Sequence, residues 1–220
     1  NNTNPTVLQF DNAKVTLSPL SVENYIFAGW YIDGEECLAI PENQNSDIVL
    51  TAEWEPVVYN ITYLNTKGAT VYDPKTYTVE SSAISFNNIL ADGYEFMGWY
   101  SGDKKITHIP TGSSGDVSLT ARWRPCEYSI TYNNTKGVHN CNVTRFNTDS
   151  ETITLLDLSK EGYLFDGWYN NDGVRVKQIV NGTSENVFLT AKWTPIDYIA
   201  TFVADGEVIA TRNFTVEDEH

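Results

Sequence analysis

The residues of this chain that are best suited to chemistry are aromatic, and they recur at a fixed spacing. Three Gly-Trp-Tyr triplets begin at Gly29, Gly98 and Gly167, so successive triplets lie 69 residues apart. Each triplet is followed by a Leu-Thr-Ala-x-Trp block. These two motifs contain all six tryptophans of the chain: Trp30, Trp54, Trp99, Trp123, Trp168 and Trp193. The apolar face of an aromatic ring can pack against a sugar ring, so a carbohydrate platform is one function that such residues can serve.

The spacing favours a structural role for the tryptophans. They alternate with other apolar residues at positions that do not change between copies, which is typical of a buried core. We therefore predict that the six tryptophans form the core of the repeated unit. Tyrosine suits half-exposed positions, because its ring is apolar and its hydroxyl is polar. Tyr31, Tyr100 and Tyr169, the tyrosines of the triplets, are the better candidates for contact with a ligand.

Oxygen-bearing side chains follow each triplet in a short polar turn. The first turn has the sequence Asp33-Gly34-Glu35-Glu36, the second contains Asp103, and the third has the sequence Asn171-Asp172-Gly173. Oxygen-rich turns can bind calcium, but these lack the ligand number and spacing of an EF-hand loop. Asp, Asn and Gly are also ordinary turn residues. The sequence therefore predicts no metal site and no cofactor.

Histidine and cysteine are too few and too scattered to indicate an enzyme or a zinc site. The three histidines are His108, His139 and His220. No Cys-x-x-Cys pair occurs, and no Ser-His-Asp, Cys-His or paired-carboxylate arrangement is suggested by the spacing. We predict that the chain is not an enzyme and has no catalytic residue. Whether Cys126 and Cys141 form a disulfide, which would leave Cys37 over, stays open, because connectivity cannot be read from sequence.

The net charge of −15 and the sequence pI near 4.4 exclude several classes of partner. Binding of nucleic acid requires stripes of Lys and Arg that displace counterions, and an anionic membrane surface attracts the same residues. No apolar run approaches the roughly 18–20 residues that span a bilayer, so we expect no membrane insertion by this segment. The acidity favours solubility and repulsion between neighbouring molecules.

The residues between the motifs predict a small sheet in each copy. In the second copy, Tyr-Asn-Ile-Thr-Tyr alternates apolar and polar residues, which indicates a half-buried strand. A turn is expected at 65–68, where Asn and Gly tolerate positive φ angles. Gly98 inside a strand indicates a bulge or a close backbone approach. Four strands are predicted in this copy: 59–63, 76–80, 93–100 and 117–123.

A short helix fits only one segment of the repeat, from Ser81 to Leu90 in the second copy and 152–158 in the third. Serine suits the start of a helix, and Ile84 and Ile89 supply apolar positions. The same residues could instead form an irregular connection. We predict one short helix per repeat at this place.

Proline closes each copy and separates it from the next, because proline cannot extend a ladder of strand hydrogen bonds. The predicted organisation is a partial repeat at 1–56, complete repeats at 57–125 and 126–195, and the start of a fourth at 196–220. The linkers are only a few residues long, so we expect a semi-rigid string of units. The incomplete first and last units expose strand edges, and we expect self-association through them.

Three blocks recur in the same order, namely Tyr-x-Ile-Thr-Tyr, Gly-Tyr-x-Phe-x-Gly-Trp-Tyr and Leu-Thr-Ala-x-Trp-x-Pro. This order resembles the Listeria–Bacteroides repeat, also called the internalin B-repeat, over nearly the whole chain. The first copy departs from it, with Asn24-Tyr25 in place of Gly-Tyr. The resemblance implies an α+β fold similar to a β-grasp, with a sheet packed on one short helix. It also implies an extracellular bacterial protein, either secreted or attached to the cell wall, and no enzymatic activity.

The predicted function is a non-enzymatic tandem-repeat spacer of a bacterial cell-surface protein, with adhesion as an added role. The alternative is a module that binds a host surface protein or a mucin-like glycan directly. A shared binding patch would recur in every copy. Glu53, Arg122 and Lys192 occupy the same outward position yet differ in charge, which favours the spacer.

Overall fold

The computed structural model describes residues 2–7, 13–42 and 44–218. Every regular element in these ranges is a β-strand. No helix in the described part of the chain is long and apolar enough to cross a membrane. The predicted α+β fold, with β-grasp-like repeats that each carry one short helix, is therefore wrong, and the chain is all-β. Repeat 1, repeat 2, repeat 3 and repeat 4 denote here the segments 1–56, 57–125, 126–195 and 196–220.

The strands follow one another in the same order in the two central repeats. Within the described residues, repeat 1 contains β1 (Val15–Thr16), β2 (Tyr25–Ile32), β3 (Glu35–Glu36), β4 (Ala39–Ile40) and β5 (Thr51–Pro56). Repeat 2 contains β6 (Tyr59–Leu64), β7 (Thr76–Tyr77), β8 (Ile84–Ser85), β9 (Tyr94–Ser101), β10 (Lys104–Ile106), β11 (His108–Ile109) and β12 (Val117–Pro125). Repeat 3 contains β13 (Glu127–Asn133), β14 (Arg145–Asn147), β15 (Ile153–Thr154), β16 (Tyr163–Tyr169), β17 (Arg175–Val176), β18 (Gln178–Ile179) and β19 (Val187–Pro195). Repeat 4 contains β20 (Tyr198–Ala204) and β21 (Glu207–Phe214).

The chain divides into two compact units. One unit comprises Asn1–Ile89 and Met97–Arg122, and the other comprises Leu90–Phe96 and Trp123–His220. The first unit contains repeat 1 and most of repeat 2, and the second contains repeats 3 and 4. Strands β9 and β12 contribute residues to both units.

Repeats 2 and 3 have the same five-stranded sheet. Its order is β10-β9-β12-β6-β7 in repeat 2 and β17-β16-β19-β13-β14 in repeat 3. The opening and closing strands are parallel neighbours, with Ile61 opposite Val117 and Ile130 opposite Val187. The other strand pairs of repeat 3 are antiparallel. Parallel neighbours cannot be joined by a tight turn, and the chain between them forms the rest of the repeat.

The core of each complete repeat lies on one face of this sheet. Leu119 and Leu189, on the closing strands, are 0% exposed, and Trp99 and Trp168 are 2% and 1% exposed. Side chains alternate between the two faces of a strand, so the residues between these positions point away from the core. The buried cluster of repeat 3 comprises Ile130, Phe146, Leu155, Leu158, Trp168, Ile179, Leu189 and Ala191.

Most strands that were predicted from alternation form, with shifted ends. Strands β6, β9 and β12 cover the predicted segments 59–63, 93–100 and 117–123 almost completely. The return strand β7 is only two residues long, because the chain then enters a turn. Alignment of the copies predicts the return strand of repeat 1 at 7–10, and residues 8–10 of that segment lie outside the described residues.

The segment that was predicted to be helical, 81–90, is held by hydrogen bonds to other parts of repeat 2. The hydroxyl of Ser81 accepts the backbone N–H of Thr78 at 2.9 Å and so closes a turn. The following residues form β8, which pairs with β11. Asn87 then donates its backbone N–H to Asp73 at 3.0 Å. A helix would have to break these bonds, because a backbone group that is paired with another segment cannot also pair within a helix.

A break in the strand register marks the glycine of the triplet. In repeat 3 the pairing of β16 with β19 shifts between Phe165 and Gly167. Gly167 has a φ angle of 121°, and a Cβ atom there would collide with the guanidinium of Arg175. In repeat 2 a Cβ atom on Gly98 would collide with the end of the Lys105 side chain.

Repeats 1 and 4 contain only parts of the sheet. Repeat 1 has the three-stranded order β3-β2-β5, and repeat 4 is the two-stranded hairpin β20-β21. The hairpin turns at Asp205-Gly206, whose φ angles of 52° and 85° suit a tight two-residue turn. Among the described residues, no strand pairs with the second edge of β5.

Candidate functional site

The structure buries the triplet tryptophans of the complete repeats and leaves the other tryptophans half-buried. Trp99 and Trp168 are almost fully enclosed. Half-buried positions are occupied by Trp30, Trp54, Trp123 and Trp193. The indole N–H of each triplet tryptophan donates to a carbonyl oxygen 12 residues earlier: Trp30 to Ser18 (2.9 Å), Trp99 to Asn87 (3.1 Å) and Trp168 to Leu156 (2.9 Å). An enclosed ring with a bonded nitrogen offers no platform to a sugar.

The tyrosines that were predicted to contact a ligand are half-buried, and the chain's own cations cover two of them. Tyr31, Tyr100 and Tyr169 all lie at half-buried positions. The guanidinium of Arg122 lies 4.2 Å from the centre of the Tyr100 ring, and Nζ of Lys192 lies 4.0 Å from the centre of the Tyr169 ring. A ligand that stacked on either face would have to displace a cation–π contact worth about 0.5–1 kcal/mol.

The oxygen-rich turns make local contacts. Asp103 forms an ion pair with Arg122 at 2.8 Å, and the backbone N–H of Asp172 donates to Oδ1 of Asn170 at 3.1 Å. Over the residues that the structure describes, no group of three or more His, Cys, Asp or Glu side chains is placed to hold a metal ion.

The cysteines are free thiols. Cys37 and Cys126 are half-buried and Cys141 is exposed. The Cys126–Cys141 disulfide, which the sequence left open, does not form in this structure.

The most regular polar feature of the molecule lies where one repeat meets the next. The first tyrosine of the triplet strand donates its hydroxyl to an acid in the following repeat, at a separation of 54 or 55 residues. The pairs are Tyr25 with Glu80 (3.1 Å), Tyr94 with Asp149, and Tyr163 with Glu217 (3.0 Å). We call these three contacts, together with the linker bonds beside them, the tyrosine junctions.

A four-residue turn presents the acid in each junction. In repeat 3, Asn147 and Ser150 close this turn around Asp149, because the Ser150 hydroxyl accepts the N–H of Asn147 at 2.8 Å and the Asn147 side chain accepts the N–H of Asp149 at 3.1 Å. Repeat 2 forms the same turn at 78–81 and repeat 4 at 215–218. Such side-chain-to-backbone bonds fix the acid's direction before it meets the tyrosine.

The linker contributes a backbone bond to every junction. The residue just before the tyrosine accepts an N–H from the linker at 2.9 Å in each case: Asn24 from Val57, Gly93 from Cys126, and Gly162 from Ile196. The accepting residues have φ angles of 66°, 74° and 80°, a region where glycine is least strained. A Cβ atom on Gly93 would lie 2.6 Å from the Thr148 hydroxyl, and one on Gly162 would collide with Val216. The next repeat therefore leaves no room for a side chain at positions 93 and 162, whereas asparagine occupies the equivalent position 24.

The junction between repeats 3 and 4 also contains a cation. Nζ of Lys136 lies 3.0 Å from Oε1 of Glu217 and 4.4 Å from the centre of the Tyr163 ring. The hydrogen bond with Glu217 raises the pKa of Lys136, and the same bond, with that from Tyr163, lowers the pKa of Glu217. In the first junction, the hydrogen bond to Glu80 raises the pKa of Tyr25.

Sequence reasoning missed the junction acids, although the sequence contained a signal. The triads Val79-Glu80-Ser81, Thr148-Asp149-Ser150 and Val216-Glu217-Asp218 occupy the same place in successive repeats. An acid recurs at the centre of each, beside a residue that can cap a turn. Lys136 has a φ angle of 50°, as does Lys67 at the equivalent position of repeat 2.

A shallow groove of about 550 Å³ lies on repeat 3. Its lining includes the exposed side chains of Asn171, Gln178 and Glu185, and Phe188, which is 46% exposed. The position of Phe188 is occupied by Ser118 in repeat 2, so the apolar ring in this groove distinguishes repeat 3 from repeat 2.

Comparison with known proteins identifies the repeated unit. A family model described as the Listeria-Bacteroides repeat domain matches residues 59–122 and again 128–192. The two matches together cover more than half of the chain.

Two curated relatives come from Evansella cellulosilytica. A protein provisionally named a membrane protein is 28% identical over 222 residues, which cover 92% of this chain and 32% of that protein. A protein provisionally named a Gly-rich membrane protein is 26% identical over 219 residues, which cover 85% of this chain and 24% of that protein. The chain thus spans about a third or less of the length of these relatives. No solved structure matches the chain significantly.

Proposed function

Because this chain belongs to the Listeria–Bacteroides repeat family, we propose that it is a non-enzymatic spacer of a bacterial cell-surface protein. In this role the repeats lie outside the cell and carry another part of the protein away from the surface. Adhesion is a secondary contribution of the same segment.

The observation that carries this proposal is the recurrence of the tyrosine junction. The same tyrosine, acid and linker bond join repeat 1 to repeat 2, repeat 2 to repeat 3, and repeat 3 to repeat 4. A chain whose repeats acted independently would not need matched contacts between neighbours. A spacer needs them, because each joint that bends freely shortens the distance that the whole segment can span.

Two further observations support an extracellular location. The two curated relatives carry names that describe membrane proteins. The net charge of −15 keeps neighbouring copies apart on a crowded surface.

The proposal is tested by measuring how tightly one junction fixes its two repeats. Spin labels are placed at the exposed positions Lys177 and Glu207, in a chain whose three cysteines are replaced by serine, and pulsed electron resonance gives the distance distribution. We expect a narrow distribution that broadens in the Gly162→Ala variant. Gly173→Ala is the matched control, since Gly173 has a φ angle of 74° and nothing lies near its Cβ position. A broad distribution in the parent chain would contradict the spacer function.

The groove of repeat 3 favours glycan binding as the second candidate function. Exposed amide and carboxylate groups can bond to sugar hydroxyls, and Phe188 supplies an apolar face beside them. A glycan array that includes mucin-type structures tests this candidate. Saturable binding that is lost in Phe188→Ser, which restores the residue found in repeat 2, would support it. Binding that survives this substitution would contradict a role for the groove.

A further inference from the structure

The outward face of the sheet carries two charged side chains that have the same sign within each repeat. In repeat 3 they lie on the two strands that flank the triplet strand, one opposite Tyr169 and the other opposite Gly167. The residues at these two positions are Glu36 and Glu53 in repeat 1, Lys105 and Arg122 in repeat 2, and Arg175 and Lys192 in repeat 3. Neighbouring charges of one sign repel each other. A pair of this kind is stabilised when an ion of the opposite charge binds to it.

The triplet of repeat 3 holds both cations in place above strand β16. The guanidinium of Arg175 lies over Gly167, where a side chain would collide with it. Nζ of Lys192 lies 4.0 Å from the centre of the Tyr169 ring. Gly167 and Tyr169 are two residues apart in one strand, so about 7 Å separates these two points along the strand. The absence of a side chain at Gly167 and the ring of Tyr169 thus place the two cations side by side.

The two cations of repeat 3 are not neutralised by a neighbouring carboxylate. Within the part of the chain that the structure describes, neither Arg175 nor Lys192 forms an ion pair. Asp166, the acid beside them, accepts a hydrogen bond from the Thr194 hydroxyl at 2.7 Å instead. In repeat 2, by contrast, Arg122 forms an ion pair at 2.8 Å. Repeat 3 therefore presents two cations that can bind an external anion.

Most of the negative charge of the chain lies outside repeat 3. Repeat 1 contains one Lys or Arg against nine Asp or Glu, and repeat 4 contains one against six. Repeat 3 contains six against eight, so it carries only −2 of the net charge of −15. Charges more than about 8 Å away are largely screened at physiological salt. An anion that approaches the outward face of repeat 3 therefore meets much less repulsion than the total charge would produce.

The same face offers an apolar ring and a hydroxyl group. Phe188, Thr190 and Lys192 alternate with buried residues of β19, so their side chains share the outward face. Phe188 is 46% exposed, and the apolar face of an aromatic ring can pack against a sugar. Two cations are too few for nucleic acid or an anionic membrane, which require stripes or clusters of Lys and Arg. The face suits a ligand in which neutral sugars separate the anionic groups.

We propose that the outward face of repeat 3 binds an acidic glycan, with one sulfate ester or carboxylate of the glycan held between Arg175 and Lys192. The guanidinium supplies a planar fork of N–H donors, and the ammonium group adds a compact charge. Phe188 lies four residues from Lys192, about 13 Å along the strand, so its ring meets a sugar a few units further along the glycan. This inference rests on the adhesion role proposed above, and it gives that role a ligand class and a site.

Calorimetric titration of the full chain with chondroitin sulfate tests the proposal, because this glycan carries both sulfate esters and carboxylates. We expect saturable binding that weakens as the salt concentration rises, and no binding of dextran, a neutral polymer of glucose. Inorganic sulfate should compete only at far higher concentrations. Absence of binding to chondroitin sulfate, or equally tight binding of inorganic sulfate, would overturn the proposal.

Charge reversal locates the site on the chain. The double variant Arg175→Glu/Lys192→Glu introduces the residue type that repeat 1 has at both positions, and it should weaken binding at least tenfold. The control Lys75→Glu/Lys104→Glu makes the same change in total charge at two exposed positions of repeat 2 and should keep most of the affinity. Equal losses in the two variants would overturn the proposed site, since they would show attraction by overall charge alone.

Removal of the acid beside the pair should have the opposite effect. Asp166→Asn keeps an acceptor for the Thr194 hydroxyl and deletes a negative charge, so chondroitin sulfate should bind more tightly. An unchanged affinity would contradict the placement of the anion next to this residue.

Failure of this proposal can be distinguished from failure of the spacer function. The charge-reversed double variant should leave the distance distribution between the labels at 177 and 207 unchanged, because its substitutions lie outside the junction. A glycan that is neutral and binds only through Phe188 would support the groove and overturn the acidic site.

Discussion

The core of repeat 3 and the junction between repeats 3 and 4 are built in opposite ways. The core is dry, with Leu189 and Trp168 almost fully enclosed, and each such side chain stabilises the fold by about 1.5–3 kcal/mol. The junction lies at the surface, where Tyr163, Lys136 and Glu217 meet through hydrogen bonds and one ion pair. Surface polar contacts contribute far less to stability than buried apolar ones. The stability of a repeat and the placement of its neighbour are therefore set by different residues, and each can be changed separately.

The largest effect is expected from the core. Trp168→Ala should lower the free energy of unfolding of repeat 3 by about 3–5 kcal/mol, because it removes a large enclosed ring and leaves a cavity. Urea unfolding followed by circular dichroism measures this loss. Asn171→Ala, at an exposed turn, is the control and should leave the unfolding curve unchanged. An equal loss of unfolding free energy in the two variants would contradict the distinction between core and surface.

Alkaline pH should also destabilise the cores of the complete repeats. Burial raises the pKa of Tyr63 and of Tyr132 to about 12, from the ordinary value of 10.0. A tyrosine whose pKa is higher in the folded state favours folding fully below pH 10, and this contribution is lost as the pH rises from 10 to 12. Unfolding curves measured across this range should show the loss. Tyr132→Phe should reduce the loss, and an identical pH dependence in that variant would contradict the assignment.

A glycine in the junction should show an intermediate and local effect. Gly162→Ala combines a strained φ angle with a collision against Val216, and such strain costs on the order of 1–3 kcal/mol. Hydrogen exchange should quicken in β20 and β21 and stay unchanged in the core of repeat 3. Gly173→Ala has a similar φ angle but open space around it, so the difference between the two variants isolates the packing. Equal hydrogen-exchange rates in the two variants would show that packing against Val216 does not stabilise the junction.

Acid should loosen the last junction while the core stays folded. The hydrogen bond from Lys136 lowers the pKa of Glu217, so the folded state favours the charged carboxylate. That contribution is present above the ordinary pKa of 4.5 and is lost as the pH falls through the lowered value. The distance distribution between the labels at 177 and 207 should broaden from pH 7 to pH 3. The Glu217→Gln variant should be broad at both pH values, and a narrow one would contradict the role of the charge.

The smallest effect is expected from removal of one junction hydroxyl. Tyr163→Phe deletes the bond to Glu217 but keeps an aromatic face for Lys136. We expect slightly faster hydrogen exchange in repeat 4 and no change in the unfolding of the core. Tyr169→Phe, outside the junction, is the matched control. A change in core stability with Tyr163→Phe would show that junction and core are coupled.

The strands could be predicted because buried and exposed residues alternate along each of them, and the same alternation recurs in every copy. The alternation of Tyr59, Ile61 and Tyr63 indicated a half-buried strand, and that segment forms β6. The helix at 81–90 was wrong because local propensity competed with tertiary bonds. The partners Asp73 and Thr107, which accept N–H groups of this segment, lie 14 and 21 residues away, and no local pattern indicates them.

The junctions were missed for a different reason. Glu80, Asp149 and Glu217 look like ordinary surface acids, because a hydrogen bond to a tyrosine about 55 residues away leaves no periodic pattern in the local sequence. The prediction that Tyr100 and Tyr169 contact a ligand rested on residue type alone. The cations that cover these rings, Arg122 and Lys192, lie on the neighbouring strands.

The parallel pairing of β13 with β19 determines how repeat 3 responds to tension. The chain enters the repeat at the start of β13 and leaves it at the end of β19, and these points lie at opposite ends of two hydrogen-bonded neighbours. A force that pulls the two ends apart therefore slides the strands along each other and loads all their hydrogen bonds at once. If the two terminal strands were antiparallel, the same pull would break their hydrogen bonds one after another, and a much smaller force would suffice. A repeat with this topology is suited to a tether that must resist flow or the pull of an attached cell.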